Sequence, residues 1–264
     1  MHASTSKLPK ISIVTPSLNQ GNFLTKSIHS ILNQNYPNLE YIIIDGGSTD
    51  FSVRIIKKFG KKITHWISEP DRGQAHAINK GFQLATGDYW GWLNADDELN
   101  TDSLQYLTKA IKENRSAGKN VLLYYGIVQL VDKDSKHIKF EGFNEKLSFK
   151  NHLYAKAPVL QPGSFYKREA VSKVGYLDER LHYCMDWDLW LKILKIGEAQ
   201  FIPYIMANLR LHLQSKTSSK NIAALQESLR VFRSHGGSFL SKKFLKYMFF
   251  FTRYSLTGRV GRKK

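Results

Sequence analysis

Short apolar runs and longer amphipathic segments alternate along the first part of the chain. Near-continuous apolar runs, typical of buried parallel strands, occur at 11–15, 39–44, 63–68 and 89–93. Apolar residues then recur at helical spacing, for example Phe23, Leu24, Ile28 and Ile31 after the first run. Repeated strand–helix units with short connections predict an α/β fold built on a doubly wound, mostly parallel sheet.

The pattern changes after residue 120. Apolar stretches at 121–131 and 136–143 predict a hairpin, and further extended segments are expected at 163–167 and 200–213. A helix is predicted at 185–196, with Leu189, Trp190, Ile193 and Leu194 on its apolar face. We therefore expect a first lobe at 1–120, a mixed lobe at 121–215 and a tail at 216–264, with no clear linker between the two lobes.

Polar loops follow all four predicted parallel strands, and right-handed crossovers place these loops on one edge of the sheet. The loops lie at 15–20, 45–50, 69–74 and 94–97 and are rich in Asp, Asn, Gln, Ser and Gly. Asp96 and Asp97 in the last loop offer hard oxygen ligands that suit Mg²⁺ or Mn²⁺, with coordination positions left for substrate phosphates. The alternative is that this acidic stretch only caps the helix expected near Thr101.

The positive charge of the chain is concentrated in the tail. The net charge of the 264 residues is +17, and from Lys216 onward twelve lysines and arginines face one acid, Glu227. The basic, aromatic stretch at 239–254 predicts an amphipathic helix that lies on an anionic membrane surface. The alternative is a helix packed on the catalytic lobe. No nucleic-acid-binding motif accompanies the charge, so a nucleic-acid partner is not expected.

The remaining composition favours the cytoplasm. Cys184 is the single cysteine, and 1–9 is polar, without the apolar centre of a secretory signal. No apolar run approaches the roughly 20 residues that a membrane span requires. We expect a cytoplasmic protein that is peripheral on the inner face of the membrane.

Two common nucleotide-binding motifs are absent. The chain has neither Gly-x-Gly-x-x-Gly after the first strand nor Gly-x-x-x-x-Gly-Lys-Ser/Thr, which disfavours a dinucleotide dehydrogenase and a P-loop NTPase. A nucleotidyltransferase is a further alternative, but the loop at 15–21 lacks the basic residues expected for it. A non-catalytic, membrane-associated binding protein is the other alternative.

A series of motifs over about residues 10–215 resembles the glycosyltransferases of family 2. In chain order the motifs are Ile13-Val-Thr-Pro-Ser17, Ile44-Asp-Gly-Gly-Ser-Thr-Asp50, Ser68-Glu-Pro-Asp-Arg-Gly-Gln74, Ala77-Ile-Asn-Lys-Gly81, Ala85-Thr-Gly-Asp88, Gly91-Trp-Leu-Asn-Ala-Asp-Asp97, Gln161-Pro-Gly-Ser-Phe165, Val174-Gly175, Met185-Asp-Trp-Asp-Leu-Trp-Leu191 and Arg210-Leu-His212. The resemblance implies the Rossmann-like GT-A fold, with a mixed acceptor lobe. It also implies an inverting transfer of a sugar from a nucleotide diphosphate, expected to be UDP, to a saccharide or polyprenyl-linked acceptor in cell-surface polysaccharide synthesis.

The resemblance also implies roles for individual residues. The donor nucleotide would contact Thr15, Pro16, Asp45, Asp71, Arg72, Asn94 and Ala95, with Asp45 accepting from the base. The alternative for Asp45 is a structural turn before a helix. Asp96 matches the metal-binding acid of an Asp-x-Asp motif, and Asp97 and His212 are further candidate ligands of Mg²⁺ or Mn²⁺. Asn94 stands where the first acid of that motif is usual, which leaves the identity of the metal open.

Asp186 matches the catalytic base of the inverting family members. The acceptor hydroxyl must lose its proton as it attacks the anomeric carbon, and a positioned carboxylate can take that proton. The alternative is that Asp186 or Asp188 is an acid favoured by the helix dipole, and we expect Asp188 to be structural. Trp187 and Gln161 are candidate acceptor contacts.

Overall fold

The computed structural model describes residues 8–142, 147–155, 160–212 and 222–257. The strands are β1 (Ile11–Ser17), β2 (Leu39–Asp45), β3 (His65–Ser68), β4 (Tyr89–Trp92), β5 (Glu98–Leu99), β6 (Val121–Val131), β7 (His137–Glu141), β8 (Phe165–Lys167) and β9 (Glu198–Arg210). The helices are α1 (Gly21–Leu32), α2 (Ser52–Phe59), α3 (Gln74–Leu84), α4 (Ser103–Ser116), α5 (Phe149–Tyr154), α6 (Arg168–Val174), α7 (Met185–Leu194), α8 (Ile222–Ser234) and α9 (Lys242–Thr257).

One continuous sheet runs through both predicted lobes. Its order is β3-β2-β1-β4-β8-β6-β9-β5, and β7 pairs with β6. The first four strands of this order are mutually parallel, β8 is antiparallel to β4 and β6, and β6 is parallel to β9. The predicted mostly parallel sheet flanked by helices is therefore confirmed, and β8 is the strand that joins the two halves.

The first strand continues past the point at which the sequence suggested a break. We expected Pro16 and Ser17 to end it, but β1 pairs with β2 as far as Ser17 opposite Asp45. Leu93 donates its backbone N–H to the carbonyl of Val14, so the backbone polar groups of Val14, and of Pro16 two residues later, point toward β4. Pairing between β1 and β4 ends at Val14. The missing N–H of Pro16 thus faces a side without a partner strand, where proline is tolerated.

Helices cover both faces of the sheet. On one face, α1 and α4 bury Leu24, Ile28, Leu104 and Leu107 against the strands. On the other face, α3 and α7 share a core with the C-terminal helices, which contribute Val231, Phe232 and Tyr247. The described part of the tail is therefore packed on the rest of the fold, which was the alternative to a helix lying free on a membrane.

Several predicted boundaries shift by a few residues. The hairpin is formed by β6 and β7, the predicted helix at 185–196 is α7, and the extended segment at 200–213 is β9. Phe143, Leu213 and the predicted tail residues 216–221 and 258–264 lie outside the described residues. Helices α5 and α8 and strand β5 were not predicted. Within the described ranges, no helix combines the length and apolarity needed to cross a bilayer.

Candidate functional site

The loops after β1 and β2 are tied together at the carboxyl edge of the sheet. The backbone N–H of Asn19 donates to Ser48 Oγ (2.7 Å), and Asn19 Oδ1 accepts from the N–H of Thr49 (2.9 Å). Asp50 Oδ2 accepts from the N–H of Gly21 (2.9 Å), the first residue of α1. Asn19 has φ 53°, a left-handed conformation that asparagine tolerates, so the first loop bends directly toward the second.

The loops after β2 and β3 meet at two acids. Asp45 is fully buried, and its Oδ2 accepts from the N–H of Ser48 (2.9 Å) and the hydroxyl of Ser68 (2.8 Å). A Cβ on Gly46 would lie 2.5 Å from Asp71 Oδ2, so only glycine at this position admits the carboxylate of the third loop. Asp45 and Asp71 are therefore neighbours, and the hydrogen bonds of Asp45 to Ser48 form a structural turn before α2.

The loops after β3 and β4 are joined through Asn94. Its Oδ1 accepts from Gln74 Nε2 (2.6 Å), and its Nδ2 donates to Asp97 Oδ2 (3.1 Å). An aspartate at this position has no amide hydrogen to donate and would add a charge next to a buried carboxylate. The replacement of the usual acid by Asn94 therefore has a local physical reason.

Asp97 faces the protein interior. Its carboxylate is 3 % exposed, and Oδ1 accepts from the backbone N–H of Arg210 (3.0 Å), while Oδ2 accepts from the amide of Asn94. Burial, and then the charge of Asp96, raise the pKa of Asp97 well above its ordinary value. Both oxygens of Asp97 are thus engaged by the protein, and Asp97 braces the loop that presents Asp96.

Asp96 and His212 face each other at the end of this chain of loops. Asp96 Oδ2 lies 3.0 Å from His212 Nε2, and the imidazole packs against the ring of Phe23 at 4.7 Å between centroids. The carboxylate oxygen suits Mn²⁺ or Mg²⁺, and the imidazole nitrogen, a transition-metal ligand, makes the pair fit Mn²⁺ better than Mg²⁺. Within the part of the chain that the structure describes, no group of three or more His, Cys, Asp and Glu side chains converges. The protein thus offers a partial ligand set, and a cation there needs further ligands from water or substrate.

Asp186 lies on a separate segment, in the first turn of α7. Its Oδ1 accepts from the backbone N–H of Trp187 (2.8 Å). Burial raises the pKa of Asp186 to about 6, and the negative charge of Glu227 also raises it, against the lowering effect of the backbone hydrogen bonds. A carboxylate with this pKa is ionised at neutral pH and is basic enough to accept a proton from a reacting group.

The segment that leads to Asp186 runs along the third loop. The Arg72 guanidinium forms an ion pair with Glu179 (2.7 Å). The amide of Asn79 on α3 donates to the carbonyl of Leu177 (3.0 Å) and accepts from its N–H (3.1 Å). A Cβ on Gly73 would lie 3.8 Å from His182 Nδ1. These contacts hold the residues before α7 beside the loop that carries Asp71.

The other candidate residues are mostly buried or paired within the protein. Thr15 and Pro16 are buried in β1, and Thr15 Oγ1 accepts from Tyr41 Oη (3.1 Å). Ala95 is 2 % exposed. The side chain of Arg72, in contrast, is largely open to solvent.

The two candidate acceptor contacts are also buried. Gln161 donates its side-chain amide to the carbonyl of Trp92 (2.8 Å). Trp187 is 6 % exposed, and its Nε1 donates to the carbonyl of His152 (3.3 Å). Both side chains are thus held by hydrogen bonds to backbone carbonyls and expose little surface to an acceptor.

Two residues that organise the site were missed in the sequence. The guanidinium of Arg210 is 1 % exposed and donates to Glu98, to the carbonyl of Asp96 (3.0 Å) and to the carbonyl of Lys133 (3.1 Å), which anchors the metal-candidate loop. An arginine at the end of a predicted buried strand was the available signal. Glu227, the second residue, was visible only as the single acid of a basic tail.

Solved structures define the class of the fold. The TarS protein of S. aureus, in a crystal structure with UDP-GlcNAc, superposes with a TM-score of 0.70 over 94% of this chain and 76% of that chain, at 17% identity. A mannosyltransferase of Pyrobaculum calidifontis, solved with GDP-Man and Mn²⁺, gives a TM-score of 0.60 over 87% of this chain and 64% of that chain, also at 17% identity. The fold is that of the GT-A glycosyltransferases.

The sequence comparison then fixes the family. The family model described as Glycosyl transferase family 2 matches residues 12–175, and the chain belongs to this family. A glycosyltransferase of Rickettsia typhi is 28% identical over 229 residues, which are 83% of this chain and 69% of that protein. The chondroitin synthase of Escherichia coli is 25% identical over 228 residues, which are 86% of this chain but only 32% of the synthase. The protein is thus a glycosyltransferase, which disfavours the nucleotidyltransferase and the non-catalytic nucleotide-sugar-binding alternatives.

Proposed function

We propose that this glycosyltransferase moves a sugar, with inversion at the anomeric carbon, from a UDP-sugar to a saccharide or polyprenyl-linked acceptor in cell-surface polysaccharide synthesis. The observation that carries the proposal is the continuous set of contacts that joins four strand-end loops and ends at Asp96 and His212, with Asp186 on a separate segment. TarS, solved with UDP-GlcNAc, and the chondroitin synthase relatives support a nucleotide-sugar donor and a polysaccharide product.

The donor nucleotide lies, in this proposal, over the joined loops. Its base and ribose approach the ends of β1 and β2, where Thr15, Pro16 and Asp45 stand, and Asp71 adjoins them across Gly46. Arg72, exposed beside the third loop, supplies a positive charge for the diphosphate. Asn94 and Ala95 contact the donor from the loop after β4. The carboxyl edge of a parallel sheet is the usual ligand site of such folds.

The divalent cation, Mn²⁺ or Mg²⁺, is assigned to Asp96 and His212. When bound, such a cation supplies positive charge that stabilises the departing diphosphate. Asp97 assists indirectly, because its hydrogen bonds to Arg210 and Asn94 fix the backbone that presents Asp96. Direct ligation by Asp97 would require both of these hydrogen bonds to break. We therefore assign Asp97 a supporting role and not direct coordination of the metal.

Asp186 acts as the general base. As the acceptor hydroxyl oxygen forms its bond to the anomeric carbon, the bond from that carbon to the diphosphate oxygen breaks, and the hydroxyl proton passes to Asp186. Attack on the face opposite the leaving group inverts the configuration. A pKa of about 6 keeps Asp186 ionised before the step and able to hold the proton afterwards.

A panel of nucleotides tests the donor assignment. The full chain is titrated with UDP-, GDP-, CDP- and ADP-sugars, with and without Mn²⁺, and the thermal midpoint is followed. We expect stabilisation by at least one UDP-sugar that depends on Mn²⁺ and is lost in Asp96→Ala, because ligand binding to the folded state raises the midpoint. A midpoint that responds to none of these compounds, or an effect of UDP-sugars that survives Asp96→Ala and EDTA, contradicts the proposal.

We also propose that α9 holds the enzyme on the cytoplasmic face of an anionic membrane. Leu245 and Phe249, each 60% exposed, share a stripe of this helix with the exposed residues Lys242 and Lys246. Leu240, just before the helix, is 92% exposed. Apolar side chains flanked by lysines on one exposed helical face match the boundary between lipid headgroups and acyl chains.

Sedimentation with vesicles tests the membrane proposal. Phosphatidylcholine vesicles with and without phosphatidylglycerol are mixed with wild type, Phe249→Ser and the control Phe140→Ser, whose ring is also exposed but lies on β7. We expect binding only to anionic vesicles, reduced by salt and by Phe249→Ser but not by Phe140→Ser. Equal sedimentation of all three proteins, or none with anionic vesicles, would refute it.

A further inference from the structure

A buried carboxylate from the C-terminal segment anchors the turn that precedes α7. Glu227 on α8 is 7 % exposed. Its Oε1 accepts from the backbone N–H groups of Tyr183 (2.6 Å) and Cys184 (2.6 Å), and its Oε2 accepts from that of His182 (2.9 Å). Hydrogen bonds from three backbone N–H groups to one carboxylate are of the strong, charge-assisted kind. Asp186 follows two residues after this anchored turn.

We infer that Glu227 is a positioning residue for Asp186, holding the turn at 182–184 and thereby the first turn of α7 in the geometry that the transfer step requires. The inference rests on the proposed role of Asp186 as general base. It assigns to the basic C-terminal segment a part in catalysis that is independent of any membrane.

The start of α7 depends on these outside contacts. The residue before the helix, Cys184, makes no side-chain capping bond. Asp188 Oδ1 lies 2.7 Å from His235 Nε2, just after α8, and Lys243 Nζ of α9 lies 4.2 Å above the ring of Trp187. Residues on both sides of Asp186 are thus held by the C-terminal segment. A catalytic group displaced by about 1 Å can lose a large part of its rate, so this support bears directly on the chemistry.

The charge of Glu227 acts on the pKa of Asp186, which an uncharged packing contact would not do. The ionisable groups next to Asp186 or its turn are Glu227 from α8, Tyr166 from β8, Lys243 from α9, and His182, Tyr183 and Cys184 of the turn itself. Among them Glu227 is the carboxylate, and its charge opposes ionisation of Asp186. Removing that charge should lower the pKa of Asp186 and move the acid limb of the pH–rate profile to lower pH.

Steady-state kinetics on the full chain test the inference. The variants are Glu227→Gln, which keeps the shape and removes one negative charge, and the control Gln226→Lys, which makes the same change in net charge at an exposed position of α8. Each is assayed with Mn²⁺ and the donor that the nucleotide panel selects, and each is also combined with Asp186→Asn. Circular dichroism melting identifies any variant that does not fold, and Glu227→Asp then replaces Glu227→Gln.

We expect Glu227→Gln to lower kcat roughly tenfold, with donor KM within about twofold of wild type and the acid limb at lower pH. Gln226→Lys should match wild type. In the Asp186→Asn background the Glu227 change should have no further effect, because it acts through Asp186. Glu227→Asp keeps the negative charge on a side chain that is one methylene shorter. It should therefore lower kcat without shifting the acid limb of the pH–rate profile.

Wild-type kinetics in Glu227→Gln, or in Glu227→Asp where that variant is needed, would overturn the inference. An equal loss in both Asp186 backgrounds would also overturn it. Failure of the proposed function gives a different result, since the wild type would then transfer no sugar or Asp186→Asn would keep full activity.

Discussion

Both polar atoms of the Asn94 side-chain amide form hydrogen bonds within the site. Its amide accepts from Gln74 with one atom and donates to the buried carboxylate of Asp97 with the other. The sequence indicated a departure from the expected pair of acids but not its reason, because the partner Gln74 comes from a loop twenty residues earlier. The position of Asp96 at a strand end indicated a metal ligand, whereas Asp186 and His212 were selected through the family resemblance. The roles of Arg210 and Glu227 were not predicted, since their partners lie on segments distant in sequence.

At the residue scale, we expect Asp96→Asn to weaken Mn²⁺-dependent nucleotide binding. The substitution replaces the carboxylate that lies 3.0 Å from His212 with a neutral amide, and hard cations prefer charged oxygen ligands. Calorimetric titration of UDP at fixed Mn²⁺ should give an affinity reduced by about tenfold, a size typical of disturbed metal sites. The control is Glu113→Gln on the exposed face of α4. Equal affinities for wild type and Asp96→Asn would remove Asp96 from the metal site.

At the element scale, α3 lies unusually close to β1. A Cβ on Gly81 would come within 2.3 Å of Val14 Cγ1 and 2.7 Å of Cγ2, so the helix cannot keep its place if a methyl group is added. We expect Gly81→Ala to destabilise the fold by about 1–3 kcal/mol, despite the better helix propensity of alanine. Urea unfolding measures the difference, with Gln83→Ala on the exposed face of α3 as control. A Gly81→Ala protein as stable as wild type would show that the helix shifts freely.

The elements themselves divide into those that periodicity reveals and those that packing decides. The four parallel strands and α7 follow from apolar runs and helical spacing in the sequence. Strand β5 is two residues long and α5 is six residues long, so their patterns are too brief to identify. The prediction that β1 ends before Pro16 was wrong. Proline is tolerated at this position because β4 stops pairing with β1 at Val14.

At the scale of the whole molecule, the tail is part of the folded enzyme. Phe232 and Tyr247 lie in the core that α7 and α3 also enter, and Lys243 donates to the carbonyls of Leu153 (2.8 Å) and Ala155 (3.1 Å) on the neighbouring helix end. The net positive charge of the segment predicted an external partner. Charge alone could not show that the same helix has a buried face.

Deletion of residues 239–264 should therefore lower both the thermal midpoint and the rate with a water-soluble acceptor, in the absence of any lipid. The lost core contacts of Tyr247 and the lost amine of Lys243 give the physical reason. Leu240→Ser, at an almost fully exposed position, serves as the control for a local change. A truncated enzyme with unchanged midpoint and rate would mean that the tail is only a membrane anchor.

The most direct test of the proposed chemistry is the rate of sugar transfer as a function of pH, for wild type and Asp186→Asn, with the product anomer determined by NMR. We expect an inverted product and a wild-type rate that falls as the pH drops through about 6, because protonated Asp186 cannot accept the acceptor proton. Asp186→Asn should be slower by about 100-fold or more and should lack this acid limb. A retained anomeric configuration, or an Asp186→Asn enzyme with the rate and pH profile of wild type, would contradict the assignment of Asp186 as the base.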